Sequence, residues 1–348
     1  MKQQVRAEGG LKMSTCLYNA VYTSMVKYGL AELLMRTKVA AVFQESVELS
    51  DPSEIFGQNE EKISKAFKEA LQEAYAKLKL KKIGVKDREY QKLLELTHPE
   101  RWNGNITLYM KFGLLEGKGL KNFDAAAKGE QVRVQGCDLL LAILGRIYYS
   151  IVEYVGDEKT AYLAFIPSYG LDLELALHVR GLVIRFEADM FRRIVFMRRF
   201  GDVPDIAKPL VLSLFLDQNA LMLAWKKLKL NPLSFSWIIL EGGRNFRDNV
   251  LIPLDKSVNI VIALREYQKP VKDLVQSIIK YEPKRESLPR ESIEWLSRIA
   301  YAFMNRDPEE LARVNLEVLR ARDEKEGEGL RPLSQRELLE VCRIIERM

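Results

Sequence analysis

The sequence predicts an α+β protein, a mixed α/β body with basic loops followed by a small C-terminal helical bundle. Three observations carry this. Short apolar runs rich in β-branched and aromatic residues, such as Thr160–Ile166 (TAYLAFI) and Phe235–Leu240 (FSWIIL), alternate with helical periodicities through the front of the chain. From Lys269 to Met348 only helical periodicity remains. Between them in character lies Trp102–Gly136, a glycine- and lysine-rich stretch whose middle cannot pack. We therefore divide the chain into an α+β body, residues 1–265, and a helical bundle, residues 266–348. With 348 residues, 47% hydrophobic and 29% charged, the chain can bury about three-quarters of its extended surface without staples.

Taken in order, Thr15–Met35 places Leu17, Val21, Met25, Tyr28 and Leu33 near helical spacing, with Gly29 a tolerated interruption. Lys38–Leu49 is rich in Val, Phe and Leu and reads as a strand. Asp51-Pro-Ser-Glu supplies a helix start. The helix that follows runs to about Lys82, with Ile63, Phe67, Ala70, Leu71 and Tyr75 on one face. Lys62, Lys65, Lys68, Lys77, Lys79 and Lys82 occupy the other, either a solvated face or a track for phosphates. Val85–Leu96 is a shorter helix. Cys137–Val155 is apolar enough for a buried helix, and Thr160–Ile166 is a strand stopped by Pro167 and Gly170. Leu171–Arg199 is the longest helical periodicity, with Gly181 a position at which it could break. Asp205–Leu228 is helical, and Phe235–Leu240 is a strand. Val250–Pro253 and Asn259–Leu264 read as extended. Four helices close the chain: Val271–Tyr281, Pro289–Asn305, Pro308–Arg322 and Ser334–Arg347. Pro308 follows Asp307 at a first-turn position, and Ser334 with Glu337 spells a capping box.

The stretch Trp102–Gly136 organises the rest. Alternating runs enter it at Ile106–Phe112 and leave it at Gln131–Val134, while Gly113, Gly117, Gly119 and Gly129 interleave with lysines between. Glycine lets backbone approach a ligand closely, and amide donors with lysines suit phosphate. The stretch reads as a basic loop presented to nucleic acid, and equally suits a flexible hairpin excursion. A second polar loop, Glu241–Asn249, carries Arg244, Asn245, Phe246, Arg247 and Asn249. Arginine and asparagine can read base edges and phenylalanine can stack, although Asn and Gly also serve turns.

The net charge is +6 and the pI about 9.0, a modest preference for an acidic partner. The charge is unevenly spread: Lys62–Lys92 holds ten Lys or Arg against four Asp or Glu, a local +6, whereas Glu282–Met348 holds thirteen against fifteen, a local −2. Arg180, Arg185, Arg192, Arg193, Arg198 and Arg199 make the long helical segment arginine-rich, suited to phosphate or to carboxylates within the protein.

Chemistry for catalysis is sparse. Neither a P-loop nor a GxGxxG nor a GxSxG occurs. His98 and His178 are the only histidines, and Cys16, Cys137 and Cys342 are far apart, so no metal or disulfide spacing exists. Asp172 and Glu174 could bind magnesium but also form a good first helical turn. We expect no catalytic residue, no metal and no cofactor. Without an apolar signal core or a membrane-length run, a cytoplasmic protein is expected.

The opening MSTCLYNAVYTSMVKYGLAELLMRTKVAAVF, the segment LAFIPSYGLDLELALHVRGLVIRFE and the final helices together resemble the large subunit of archaeal type I-A CRISPR surveillance complexes (Cascade), over most of the chain. The resemblance implies a non-catalytic role in antiviral defence. The partners would be crRNA, target double-stranded DNA, the backbone, tail and small Cascade subunits, and the CRISPR helicase-nuclease, with no membrane. Such a subunit helps recognise the protospacer-adjacent motif, stabilises R-loop formation and recruits the helicase-nuclease, while base pairing reads the sequence. The family's loops vary, so contact candidates come from this sequence. They are Asn103, Asn105, Lys118, Lys121, Asn122, Lys128, Arg244, Asn245 and Arg247 for DNA. Arg192, Arg193, Arg198 and Arg199 are candidates for the nucleic-acid backbone. The alternatives are a metal-dependent nucleic-acid-processing enzyme using Asp172, Glu174, Asp202 or Asp217, and a protein-interaction scaffold.

Overall fold

The computed structural model describes residues 20–37, 60–80, 87–102, 104–107, 133–156, 159–167, 171–188, 199–241, 245–247, 252–281, 287–324 and 329–348. They are predominantly helical with a small antiparallel component, a helix-rich form of the expected α+β class. The chain divides into two compact units, Met1–Val183 with Ser234–Leu251, and Ile184–Leu233 with Ile252–Met348. The expected boundary near residue 265 falls inside the second unit.

In the first unit, α1 (Ala20–Thr37) and α4 (Gly136–Tyr149) form the central pair. Both are apolar nearly all round, the pattern of a helix enclosed by protein. Met25, Val26, Tyr28, Leu30, Ala31, Leu33 and Leu34 of α1 are buried, as is every α4 residue except Tyr148. The two helices run antiparallel and meet backbone to backbone. A Cβ built on Gly29 would lie 1.9 Å from the Leu141 carbonyl oxygen, and one on Gly145 would lie 1.8 Å from that of Met25. Gly29 is therefore required by the crossing rather than tolerated in it.

Amphipathic α2 (Glu60–Leu80) packs on this pair through Ile63, Phe67, Ala70, Leu71 and Ala74, leaving Lys62, Lys65 and Lys68 exposed. A short helix, α3 (Asp87–Glu95), packs against α2, and Tyr90 stacks on Tyr75 with centroids 3.9 Å apart. After α4 the chain turns at once into β3 (Ser150–Gly156), which pairs antiparallel with β4 (Lys159–Pro167), Ile151 opposite Leu163 and Val152 opposite Tyr162. The expected helix to Val155 thus ends six residues early. The reason is local: SIVEYV alternates, carries β-branched residues and finds a partner strand. Ser150 Oγ donates to the Arg146 carbonyl and closes the last helical turn. The sheet continues from β4 to β5 (Leu233–Glu241) and β6 (Asn245–Arg247), which pair antiparallel as a hairpin. No break occurs at Gly181, and α5 (Leu173–Ala188) runs through it.

The second unit is helical. The expected single helix Asp205–Leu228 is two, α6 (Lys208–Phe215) and α7 (Gln218–Leu230). Between them Leu216 is extended, and the Asp217 side chain accepts the Ala220 N–H at 2.8 Å as the cap of α7. Following β7 (Ile252–Pro253), the segment expected to be extended at Asn259–Leu264 is instead part of α8 (Asp255–Leu264). Val258, Val261 and Leu264 recur at a spacing of three and are buried, so periodicity outweighed β-branched composition. The four closing helices follow expectation as α9 (Gln268–Lys280), α10 (Arg290–Asn305), α11 (Pro308–Glu324) and α12 (Gln335–Arg347). They pack in succession, and α6 and α7 pack on α8. Asp307 accepts the Glu310 N–H, and the Ser334–Glu337 capping box is formed. Buried Asn315 holds the last connection, donating to the Leu333 carbonyl at 3.0 Å and accepting its N–H at 2.7 Å.

Candidate nucleic-acid interface

The two ends of the organising stretch form a narrow base in the first unit. β1 (Asn105–Thr107) pairs antiparallel with β2 (Arg133–Gln135), placing Asn105 opposite Gln135 and Thr107 opposite Arg133. The base is tied to the core on the helix side. The N–H of Gly136 donates to the Gly104 carbonyl at 3.0 Å, and that of Cys137 to Trp102 at 3.1 Å. Two of the N–H groups that α4 leaves open at its start are thereby satisfied. Buried Trp102 meets Phe67 of α2 edge-on at 6.0 Å. The β1–β2 pair, which residues 108–132 join in sequence, thus sits at the start of a helix of which every residue but Tyr148 is buried.

Of the contact candidates, Asn105 lies in β1, while Asn245 and Arg247 lie in β6, opposite Glu241 and Ile239 of β5. The β1–β2 base and the β5–β6 hairpin belong to the same unit. Asn103, Lys118, Lys121, Asn122, Lys128, Arg192, Arg193, Arg198 and Arg244 lie outside the described residues, as does the expected strand Lys38–Leu49. Arg199 is 3% exposed, and its guanidinium donates to the carbonyls of Ile279 and, at 3.0 Å, Tyr281. Its donors serve the second unit's own backbone.

Other arginines of that segment are also engaged. Arg185 pairs with Asp217 at 3.0 Å within the second unit. In the first, Arg180 joins a cluster that sequence reasoning missed. Glu32 of α1, 1% exposed, accepts from Arg36 at 2.8 Å, Arg180 at 3.1 Å and the Tyr149 hydroxyl at 3.4 Å. Arg36 also forks onto Glu73 of α2 at 3.1 and 2.7 Å, and Tyr148 donates to the same carboxylate at 3.1 Å. The Arg36 and Arg180 guanidinium carbons lie 5.0 and 5.8 Å from the Tyr148 ring centroid. The hydrogen bond from Arg36 holds the Glu73 carboxyl below its usual range against the opposing effect of burial. Burial works against the charge of Arg36, yet its hydrogen bond to Glu73 and the surrounding negative charge raise its pKa. Burial pushes the Tyr149 hydroxyl up, reinforced by Glu32. The cluster fastens α1, α2, α4 and α5 at one junction and binds its cations internally. Its only sequence trace is the four-residue spacing of Glu32 and Arg36.

The carboxylates of the enzyme alternative have local roles as well. Asp172 accepts the Leu175 N–H at 2.7 Å, Asp202 that of Leu288 at 3.1 Å and Asp217 that of Ala220. Glu174 lies 3.8 Å from His178 one turn on. Among the described residues no group of three or more His, Cys, Asp or Glu is placed to hold a metal ion. No described helix is long and apolar enough to cross a membrane. No protein-family model and no curated protein matches this chain.

Proposed function

We propose that the chain is a non-catalytic, nucleic-acid-binding subunit, the large subunit of a crRNA-guided type I CRISPR interference complex. In this role it contacts the protospacer-adjacent motif of duplex DNA, supports R-loop formation and recruits a helicase-nuclease. Its partners are crRNA, target DNA and the backbone, tail and small subunits of a cytoplasmic ribonucleoprotein. The reading rests on the sequence resemblance. The observation that carries it is the anchored base: the two strands that bracket the lysine- and glycine-rich sequence pair with each other and are fixed to the core. Such a base holds the two ends in register, while glycine and amide groups between them can follow a phosphate chain. The capping roles of Asp172 and Asp217, and the hydrogen bond of Asp202 to the Leu288 N–H, favour binding over a carboxylate-based enzyme.

Phosphate contacts position a protein and base contacts specify sequence. In the assembled complex, Lys118→Ala with Lys121→Ala therefore weakens binding to all duplexes alike. Replacing Asn122, Arg244 or Arg247 with alanine instead lowers discrimination between motifs, each lost base contact costing about 1–3 kcal/mol. Equilibrium binding to a panel of motif variants separates the two. Identical effects of both sets would contradict the division of roles.

A further inference from the structure

α7 carries its apolar residues the wrong way round for a helix that only supports a core. Its buried positions are Ala220, Leu221, Ala224 and Leu228, two of them alanines. Its larger Met222, Leu223 and Leu230 point outward, 53%, 70% and 77% exposed. A single exposed leucine is ordinary, whereas a contiguous ridge marks an interaction surface. These form a ridge: Lys226 is four residues from both Met222 and Leu230 and three from Leu223, so the four positions share one face. Lys226 and Lys229 on this face are exposed, and α7 contains no Asp or Glu. The lysine stems extend the apolar strip, Lys226 within it and Lys229 at its edge, while their ammonium groups give it positive charge.

We propose that this face of α7 is a docking surface for an amphipathic helix of another protein, with apolar residues along its centre and acidic residues flanking them. Charge complementarity selects this occupant. A second copy is disfavoured, because Lys226 lies midway between Met222 and Leu230, and a two-fold that apposes the ridges brings each Lys226 against its copy. Nucleic acid is disfavoured because most of the strip's exposed area is Met222, Leu223 and Leu230, which give a phosphate nothing. The surface is independent of the DNA-binding reading, since α7 contributes none of its candidate residues.

The test is a fluorescence-anisotropy titration of the full chain with a labelled helical peptide, leucines along one face and glutamates flanking them. A second peptide has lysines in place of the glutamates. The acidic peptide binds, and Leu223→Glu and the pair Lys226→Glu with Lys229→Glu each weaken it at least about tenfold. Leu339→Glu, an exposed leucine on α12, leaves binding unchanged. Circular dichroism confirms that the variants stay folded. Equal binding of the lysine peptide, or no effect of Leu223→Glu, overturns the proposal. So does binding to phosphatidylglycerol vesicles, or concentration-dependent self-association, that Leu223→Glu abolishes while the acidic peptide fails to bind.

Discussion

Two single residues show how differently a buried and an exposed polar group are treated in the first unit. Tyr28 stacks on Tyr149 at 4.7 Å, and its fully buried hydroxyl has no hydrogen-bond partner among the described residues. Burial alone raises its pKa. An unsatisfied buried hydroxyl costs stability, so Tyr28→Phe is expected to be neutral or to stabilise by up to about 1 kcal/mol in urea denaturation. A loss of more than that would mean the hydroxyl has a partner. Glu73 is the opposite case, a carboxylate supported by Arg36 and Tyr148. Its pKa is depressed in the folded state, so its contribution is fully present above the unfolded value of about 4.3 and is lost as pH falls through the folded one. The stability advantage of wild type over Glu73→Gln therefore shrinks as pH drops below about 4. An advantage unchanged across that window would show that the ion pair does not underlie it.

At the scale of elements, glycine decides how closely helices approach, and its two roles predict opposite signs. Gly29→Ala or Gly145→Ala drives a methyl into the facing backbone of the α1–α4 pair. The overpacking costs roughly 1–3 kcal/mol or more, enough to outweigh the intrinsic helical gain of alanine, about 1 kcal/mol. Gly181 on α5 has nothing within 4 Å of its would-be Cβ, so Gly181→Ala stabilises by about 0.5–1 kcal/mol. Thermal denaturation of the three variants tests the pair of signs. The same contrast shows what a sequence displays and what it conceals. The closing helices were legible because their signals are local: Pro308 behind Asp307, Ser334 with Glu337, and long apolar periodicity. The end of α4 was not, because Ser150–Val155 is apolar in either conformation and becomes a strand through its antiparallel pairing with β4, which follows it closely. The α8 segment misled through its β-branched residues. Gly29 looked like a tolerated interruption because its partner lies more than a hundred residues away.

At the scale of the whole molecule, the candidate site was legible as composition but not as geometry. Glycine and lysine between two alternating runs marked the stretch, and β1 and β2 share Ile106–Thr107 and Arg133–Val134 with those runs. The arginine-rich segment pointed more broadly than its residues allow, because sequence does not reveal partners: Arg180 serves Glu32, Arg185 serves Asp217 and Arg199 serves backbone carbonyls. The charge left for an acidic partner resides chiefly in the lysine-rich front half. The central claim is that this charge meets nucleic acid. The most direct measurement is duplex DNA binding across a salt series, first with the protein alone and then assembled with its proposed partner subunits and guide RNA. The account predicts tight, motif-dependent binding only in the assembly, with log affinity falling steeply and linearly against log salt. Absence of binding to DNA or RNA under every condition, partners included, would contradict it.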